Sequence, residues 1–316
     1  MYYLGIDTSA YTTSVAVVNG EKKLICQKRR LLEVPMGDRG LLQSQAVFQH
    51  VQQLPSLLAG ILKEIDTDRL MAIAASIAPR PVAGSYMPVF TVSKGQGEIL
   101  AAARNCPFVP TTHQEGHIEA AVWSSGIKLP AEFLAVHLSG GTSELLLVKS
   151  QTKGYSIELL GGTKDLHAGQ FVDRVGVSLG LTFPAGPQLE SLAVKAGTAL
   201  GIPSFVEGYD FSFSGPESHA QRLIRKGAEP ANVARAVEQC IATTLEKVIR
   251  QAVKNEGIRH VLLAGGVSAN SYIRQRMKQR LEHPAVGARL VFAAPQYSTD
   301  NAVGIALLGL CAVQGV

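Results

Sequence analysis

The chain is poor in cysteine, and its four thiols, Cys26, Cys106, Cys240 and Cys311, are isolated, with no CxxC pair. That spacing argues against a disulfide framework and against a cysteine-rich metal site, and a reducing compartment fits best. Long apolar runs are also missing. The longest, "NAVGIALLGLCAVQGV" from position 301, is short of the roughly 20 residues that span a bilayer and reads as a buried terminal helix. No secretory leader is expected, because "MYYLGIDTS" runs straight into a strand-and-turn pattern. Charge is sparse, at 17% of 316 residues, and sums to only +5. The densest basic groups are Lys28-Arg29-Arg30 and the set Arg274, Arg276, Lys278 and Arg280. They read as solvated faces, and they permit a polyanionic partner such as RNA without requiring one. A cytoplasmic globular protein without membrane association is the expectation.

The apolar content, 46%, is organised as a repeat. "YLGIDTSAYTTSVAVV" (3–18) and "LAVHLSGGTSELLLV" (134–148) each read as two strands joined by a tight turn of small polar residues. Between and after them come helical patterns. A stripe over 44–65 is interrupted at Pro55, and a long helix over 231–258 is closed by Gly257. "RHVLLAGGVSAN" (259–270) reads as a buried strand running into a glycine turn and a new helix. A duplicated hairpin followed by strand and helix units implies two similar α/β lobes with a central cleft. The expected lobes are 1–118 with 295–316 returning to it, and 119–294. Glycine turns at 139–141 and 265–266 fall at strand ends, where backbone N–H groups and helix dipoles favour phosphate.

"TTHQEGHIEAAVW" (111–123) concentrates the metal-binding chemistry. Thr112 and Glu115 match the S/T-x-x-E capping box, so a helix starts at Thr112. His113 and His117 then sit one turn apart on one face, as two imidazoles must to share a cation, or else each packs separately. A zinc protease places its general base beside the first histidine. Glu115, two positions on, points away from that face, so the protease reading is poor.

Ordered segments through nearly the whole chain resemble the tRNA threonylcarbamoyladenosine transferase family. They include "GIDTS" at 5–9, "HQEGH" at 113–117, "LSGGTSELL" at 138–146, "AGQFVDRVG" at 168–176, "FPAGPQLESLA" at 183–193, "YDFSFSG" at 209–215, "LLAGGVSAN" at 262–270 and "STDNAVGIA" at 298–306. The resemblance implies the actin-like, sugar-kinase-like and Hsp70-like ATPase (ASKHA) fold. It implies one divalent transition metal, iron or zinc, on His113, His117 and Asp300. It also implies an adenine nucleotide (threonylcarbamoyl-AMP, ATP or AMP) on Ser139, Gly140, Gly141, Thr142, Asp173, Gly186, Glu190 and Asn270. Without the resemblance, Asp300 reads as an N-cap of the last helix. The implied reaction is transfer of threonylcarbamoyl from its adenylate to N6 of an adenosine in tRNA. Family transferases often work with a smaller metal-free paralogue and a P-loop ATPase, and a dimer is open.

The chain departs from the family pattern at several points. Where the family carries acidic residues after "GIDTS", this chain has Ala10, Tyr11, Thr12 and Thr13; "SGGHT" becomes "SGGTS", with His137 before the turn. A paired-aspartate segment reads Asp165-Leu166-His167, Gln170 stands for a glutamate, and "APRPVAGSY" (78–86) lacks its first glycine pair. These departures leave two alternatives beside the transferase. One is a nucleotide- and metal-binding paralogue without tRNA transferase activity. The other is a carbamoyltransferase for another acceptor. No catalytic side chain is assigned.

Overall fold

The computed structural model describes residues 1–9, 11–34, 40–152, 154–198 and 200–315; Ala10 of the departing segment therefore lies outside the described residues. The chain divides into two compact units, one of Met1–Gly126, Ser150–Ser156 and Asp300–Val316, the other of Ile127–Lys149 and Ile157–Thr299. The first unit opens with β1 (Tyr2–Thr8), β2 (Thr12–Asn19) and β3 (Leu24–Leu31). It continues through α1 (Gln43–Leu62), β4 (Leu70–Ala78), α2 (Phe90–Arg104), β5 (Phe108–Thr112) and α3 (His113–Ser125). Its sheet has the order β3-β2-β1-β4-β5. β2 pairs antiparallel with β1 and β3, whereas β4 runs parallel to β1 and to β5. Pro110 is tolerated in β5 because that strand is the sheet edge, where a missing N–H breaks no ladder.

The second unit repeats this plan. β6 (Glu132–Leu138), β7 (Ser143–Ser150) and β8 (Tyr155–Gly162) take the places of β1 to β3. Then come α4 (Ala168–Ser178), α5 (Gly186–Ala193), a small hairpin of β9 (Phe205–Glu207) and β10 (Asp210–Ser212), α6 (Ser214–Arg225) and α7 (Pro230–Glu256). β11 (His260–Ala264), α8 (Ser271–Leu281) and β12 (Arg289–Phe292) complete the unit. The order β12-β11-β6-β7-β8, with β11 parallel to β6 and β12, mirrors the first sheet strand for strand. The duplication read from the two hairpins is therefore real. Gly257 ends α7 in the left-handed region, at φ 70°.

The last helix, α9 (Val303–Gln314), belongs to the first unit and is buried over Val303–Leu310. It crosses α3 and covers β1 and β4 at very short range. A Cβ on Gly304 would lie 1.9 Å from the Gly116 carbonyl oxygen, and one on Gly5 2.4 Å from the Ala306 nitrogen. Only glycine permits these backbone approaches. None of the described helices is long and apolar enough to cross a membrane.

α1 runs unbroken through Pro55. The carbonyl that proline leaves without a helical donor belongs to Val51, a residue 54% exposed, and the interruption in the apolar pattern does not interrupt the helix.

The crossing gives a test. An alanine in a helix normally gains about 1 kcal/mol over glycine. Gly304→Ala should instead lose roughly 2 kcal/mol, because the clash is with backbone that cannot swing aside. Gly95→Ala on α2, where an added Cβ meets nothing within 4 Å, is the control and should stabilise. Denaturant midpoints of both variants against wild type decide; a stabilised Gly304→Ala would show that the close crossing is not a constraint.

Candidate metal centre and nucleotide-side residues

The Thr112–Glu115 capping box forms as the sequence indicates: the Thr112 hydroxyl accepts from the Glu115 N–H and the Glu115 carboxylate from the Thr112 N–H. This places His113 and His117 in the first two turns of α3, with their rings 4.5 Å apart at 84°. Asp300, just before α9, reaches them from the other end of the chain. It does not cap α9, whose first N–H groups are served instead by the Asn301 side chain bonding the Val303 N–H.

The three donors converge. His117 Nε2 lies 3.1 Å from His113 Nε2 and 3.1 Å from Asp300 Oδ1, and His113 Nε2 lies 3.7 Å from Asp300 Oδ1. All three fall within 4.8 Å of one another. Three corners of a tetrahedron with bonds of about 2.1 Å are about 3.4 Å apart. The observed separations bracket that value. Two imidazole nitrogens and a carboxylate oxygen at this range repel unless a proton or cation lies among them. The donor set, two nitrogens and one oxygen, therefore fits a divalent transition cation and leaves a coordination position open.

Neighbours outside the triad complete the first unit's site. Asp7 Oδ1 lies 3.1 Å from His113 Nδ1, and the Ser9 hydroxyl donates to Asp300 Oδ2 at 2.8 Å. Burial works against a charged His113, but Asp7 and Asp300 more than offset it and raise its pKa to about 9. Asp300 is held well below the carboxylate range: burial pushes it up, and the hydrogen bond from His117 and the charges of the two histidines outweigh that push. Neither Asp7 nor Ser9 stands out in the sequence. The available signal was an acid inside the otherwise apolar, buried strand β1.

The expected nucleotide-side residues all lie in the second unit and form a continuous series. Ser139, Gly140, Gly141 and Thr142 make the β6–β7 turn, closed by the Ser139 N–H donating to the Thr142 carbonyl at 2.7 Å. The turn touches the N-terminus of α4, where Gly169 N–H donates to the Ser139 carbonyl at 3.1 Å. Asp173, on α4, accepts from the Ala185 N–H at 2.8 Å and so fixes Gly186 at the start of α5. Burial raises the Asp173 pKa. Glu190, on α5, accepts from the Ser271 N–H at 2.8 Å, beside Asn270. Asn270 caps α8 and donates its amide to Glu238 at 2.6 Å. Thr142 thus stands at a turn, and His137 is buried in β6. Glu238 and its ion-pair partner Arg235, at 2.7 Å, went unnoticed in the sequence because α7 is read there only as a long helix.

Burial pushes the Glu238 carboxyl from 4.5 up to about 7, against the pull of the Asn270 amide and Arg235. The ionised form is the one disfavoured by folding. The stability contributed by the protonated carboxyl is complete below about 4.5 and is lost as pH rises through about 7. Glu238→Gln keeps an acceptor for Asn270 and cannot ionise. Its stability relative to wild type should therefore rise by on the order of 2 kcal/mol between about pH 5 and about pH 8. Melting curves across that range test the point, and a flat difference would refute it.

Comparison with known proteins identifies the family and the fold. Residues 34–307 match the family model described as TsaD, tRNA N6-adenosine threonylcarbamoyltransferase. A curated tRNA N6-adenosine threonylcarbamoyltransferase of Thermus thermophilus is 35% identical over 97% of this chain and 91% of its own length. Among solved structures, component A of the Acidaminococcus fermentans (R)-2-hydroxyglutaryl-CoA dehydratase covers 99% of both chains at a TM-score of 0.58 and 14% identity. A Streptomyces griseus ROK family glucokinase covers 98% of this chain and 99% of its own, with a TM-score of 0.57 and 13% identity. At such identities the structural likeness speaks for the fold alone, and the fold is the actin-like, sugar-kinase-like and Hsp70-like one. With the model spanning most of the chain and the relative matching end to end, this chain belongs to the tRNA N6-adenosine threonylcarbamoyltransferase family.

Proposed function

We propose that this chain transfers a threonylcarbamoyl group from threonylcarbamoyl-AMP to N6 of an adenosine in tRNA, with one divalent transition cation on His113, His117 and Asp300. The observation that carries the reading is the convergence of those three side chains at tetrahedral spacing in a member of this family. When bound, such a cation polarises an oxygen of the transferred group and fixes its orientation.

The remaining work falls to the chain. N6 attacks the carbamoyl carbon, the C–N bond forms, the bond to the phosphate oxygen breaks, and AMP departs with the electron pair while N6 gives up one proton. The donor is already activated, so no side-chain nucleophile is required. Ser139, Gly140, Gly141 and Thr142 supply the turn for the phosphate, with the α4 N-terminus behind it. Asp173, Gly186, Glu190 and Asn270 supply the nucleoside side. A net charge of +5 is compatible with an RNA acceptor. A smaller paralogue and a P-loop ATPase are the partners to include in any assay.

Expression in a strain lacking its own transferase should restore N6-threonylcarbamoyladenosine to tRNA, measured by nucleoside analysis. The purified chain should carry about one transition metal, and His113→Ala should lose most of it by elemental analysis while failing to complement. No modified nucleoside, with the partners and the adenylate supplied in vitro, would overturn the reading.

The phosphate turn is tested separately. An added Cβ at Gly141 meets nothing within 4 Å, so Gly141→Val should fold normally. It should nevertheless weaken AMP and ATP binding by about tenfold or more, because a side chain there blocks backbone approach to phosphate. Equal calorimetric affinities would remove this turn from the site.

A further inference from the structure

Asp7 is the acid that the cation reading leaves unexplained. It sits at the end of β1 with no solvent exposure. One oxygen, Oδ1, is 3.1 Å from His113 Nδ1. The other, Oδ2, is buried and has no hydrogen-bond partner among the described residues. Among those residues its sole ion-pair partner is His113. A carboxylate taken out of water with half its acceptor capacity unused costs several kcal/mol unless a positive charge compensates it.

The geometry also fixes which nitrogen can face a cation. Asp7 can only accept, so the His113 Nδ1 keeps its proton, and a cation that displaces the second proton would meet Nε2 beside His117 and Asp300. With neutral histidines the triad carries a single negative charge, from Asp300. A divalent cation there would leave one positive charge uncompensated in a largely buried site. Asp7 supplies the second negative charge at one imidazole's remove.

We propose that Asp7 is a positioning residue for the cation: it orients His113 through the Nδ1 proton and brings the site's charge to that of a divalent ion. The proposal rests on the cation site of the preceding section. Carboxylates in this position typically strengthen metal binding by about 10–100-fold.

The test uses the full metal-free chain and measures affinity and spectrum rather than turnover. Co2+ titrations followed by the visible d–d bands, and Zn2+ affinity by chelator competition, should be run on wild type, Asp7→Ala, Asp7→Asn and His113→Ala. Asp7→Ala should bind about 10–100-fold more weakly, with altered band positions or intensity. Asp7→Asn retains an acceptor for Nδ1 but not the charge, and should fall between Asp7→Ala and wild type. His113→Ala should bind weakest of all. A folded Asp7→Ala that binds within twofold of wild type with unchanged bands would overturn the proposal. Should Asp7→Ala fail to fold, Asp7→Asn decides, and wild-type affinity in that variant overturns the proposal equally. Wild type that takes up neither cation would sink the cation site itself, a different outcome from a wild type that binds and is indifferent to Asp7.

Discussion

The contact on which the site depends involves no polar side chain. It is the backbone crossing of α3 and α9, where Gly304 lies against the Gly116 carbonyl closely enough to exclude a Cβ. Gly116 stands between His113 and His117, and Gly304 is four residues after Asp300. The crossing therefore sets the distance between the histidine pair and the aspartate directly. A separation of 8–10 Å is usual for helix axes whose contact residues carry side chains. At that distance Asp300 Oδ1 could not hold its 3.1 Å approach to His117. Gly5 against Ala306 and Gly309 against Ala74 press the same helix onto β1 and β4. β1 is the strand that delivers Asp7 and leads to Ser9. One close-packed helix thus brings three distant stretches of sequence to one point.

Electrostatics explains why those stretches need such tight packing. The site gathers two imidazoles and two carboxylates, mostly screened from water, where charge interactions are several times stronger than at a surface. A shift of half an ångström in any donor would trade attraction for uncompensated burial. Rigid elements supply the accuracy: a capped helix start for His113, a strand end for Asp7, and the serine hydroxyl of Ser9 on Asp300 Oδ2. The second unit uses the same devices for a different end. Asp173 fixes the start of α5 and Glu190 the start of α8, so both acids are engaged by backbone N–H groups. A ligand on that side would meet side chains already held in place.

What the sequence disclosed divides along the range of the interactions. The hairpins, the Thr112–Glu115 cap, the Gly257 stop and the facing histidines depend on residues within a few positions of one another, and pattern reading recovers them. Asp300 emerged through family resemblance alone, since its local context reads as a cap that Asn301 provides. Asp7 was hidden because its partner is 106 residues away. Pro55 interrupts the apolar pattern without interrupting α1. Glu238 looked like one more polar position on a long helix, until the fold brought Asn270 to its side.

Thr13, in the segment after "GIDTS", has a structural role of its own. His50 is fully buried, and that burial lowers its pKa and favours the neutral ring. Its Nε2 lies 2.8 Å from the Ser9 carbonyl and must carry the proton, because a carbonyl only accepts. Nδ1 is then a lone pair, and the Thr13 hydroxyl at 2.8 Å donates to it. That hydroxyl has one proton. The Gln53 side-chain amide, 2.9 Å away, therefore fits the network when its NH2 group faces Thr13. The result is an uncharged series from Gln53 through Thr13 and His50 to Ser9, and through the Ser9 hydroxyl to Asp300. A carboxylate at position 13 would set a negative charge against the lone pair of His50 and force that ring to take up a proton. With threonine there, the frame behind Asp300 stays neutral. Position 13 thus helps to orient Asp300 without adding to the charge around it.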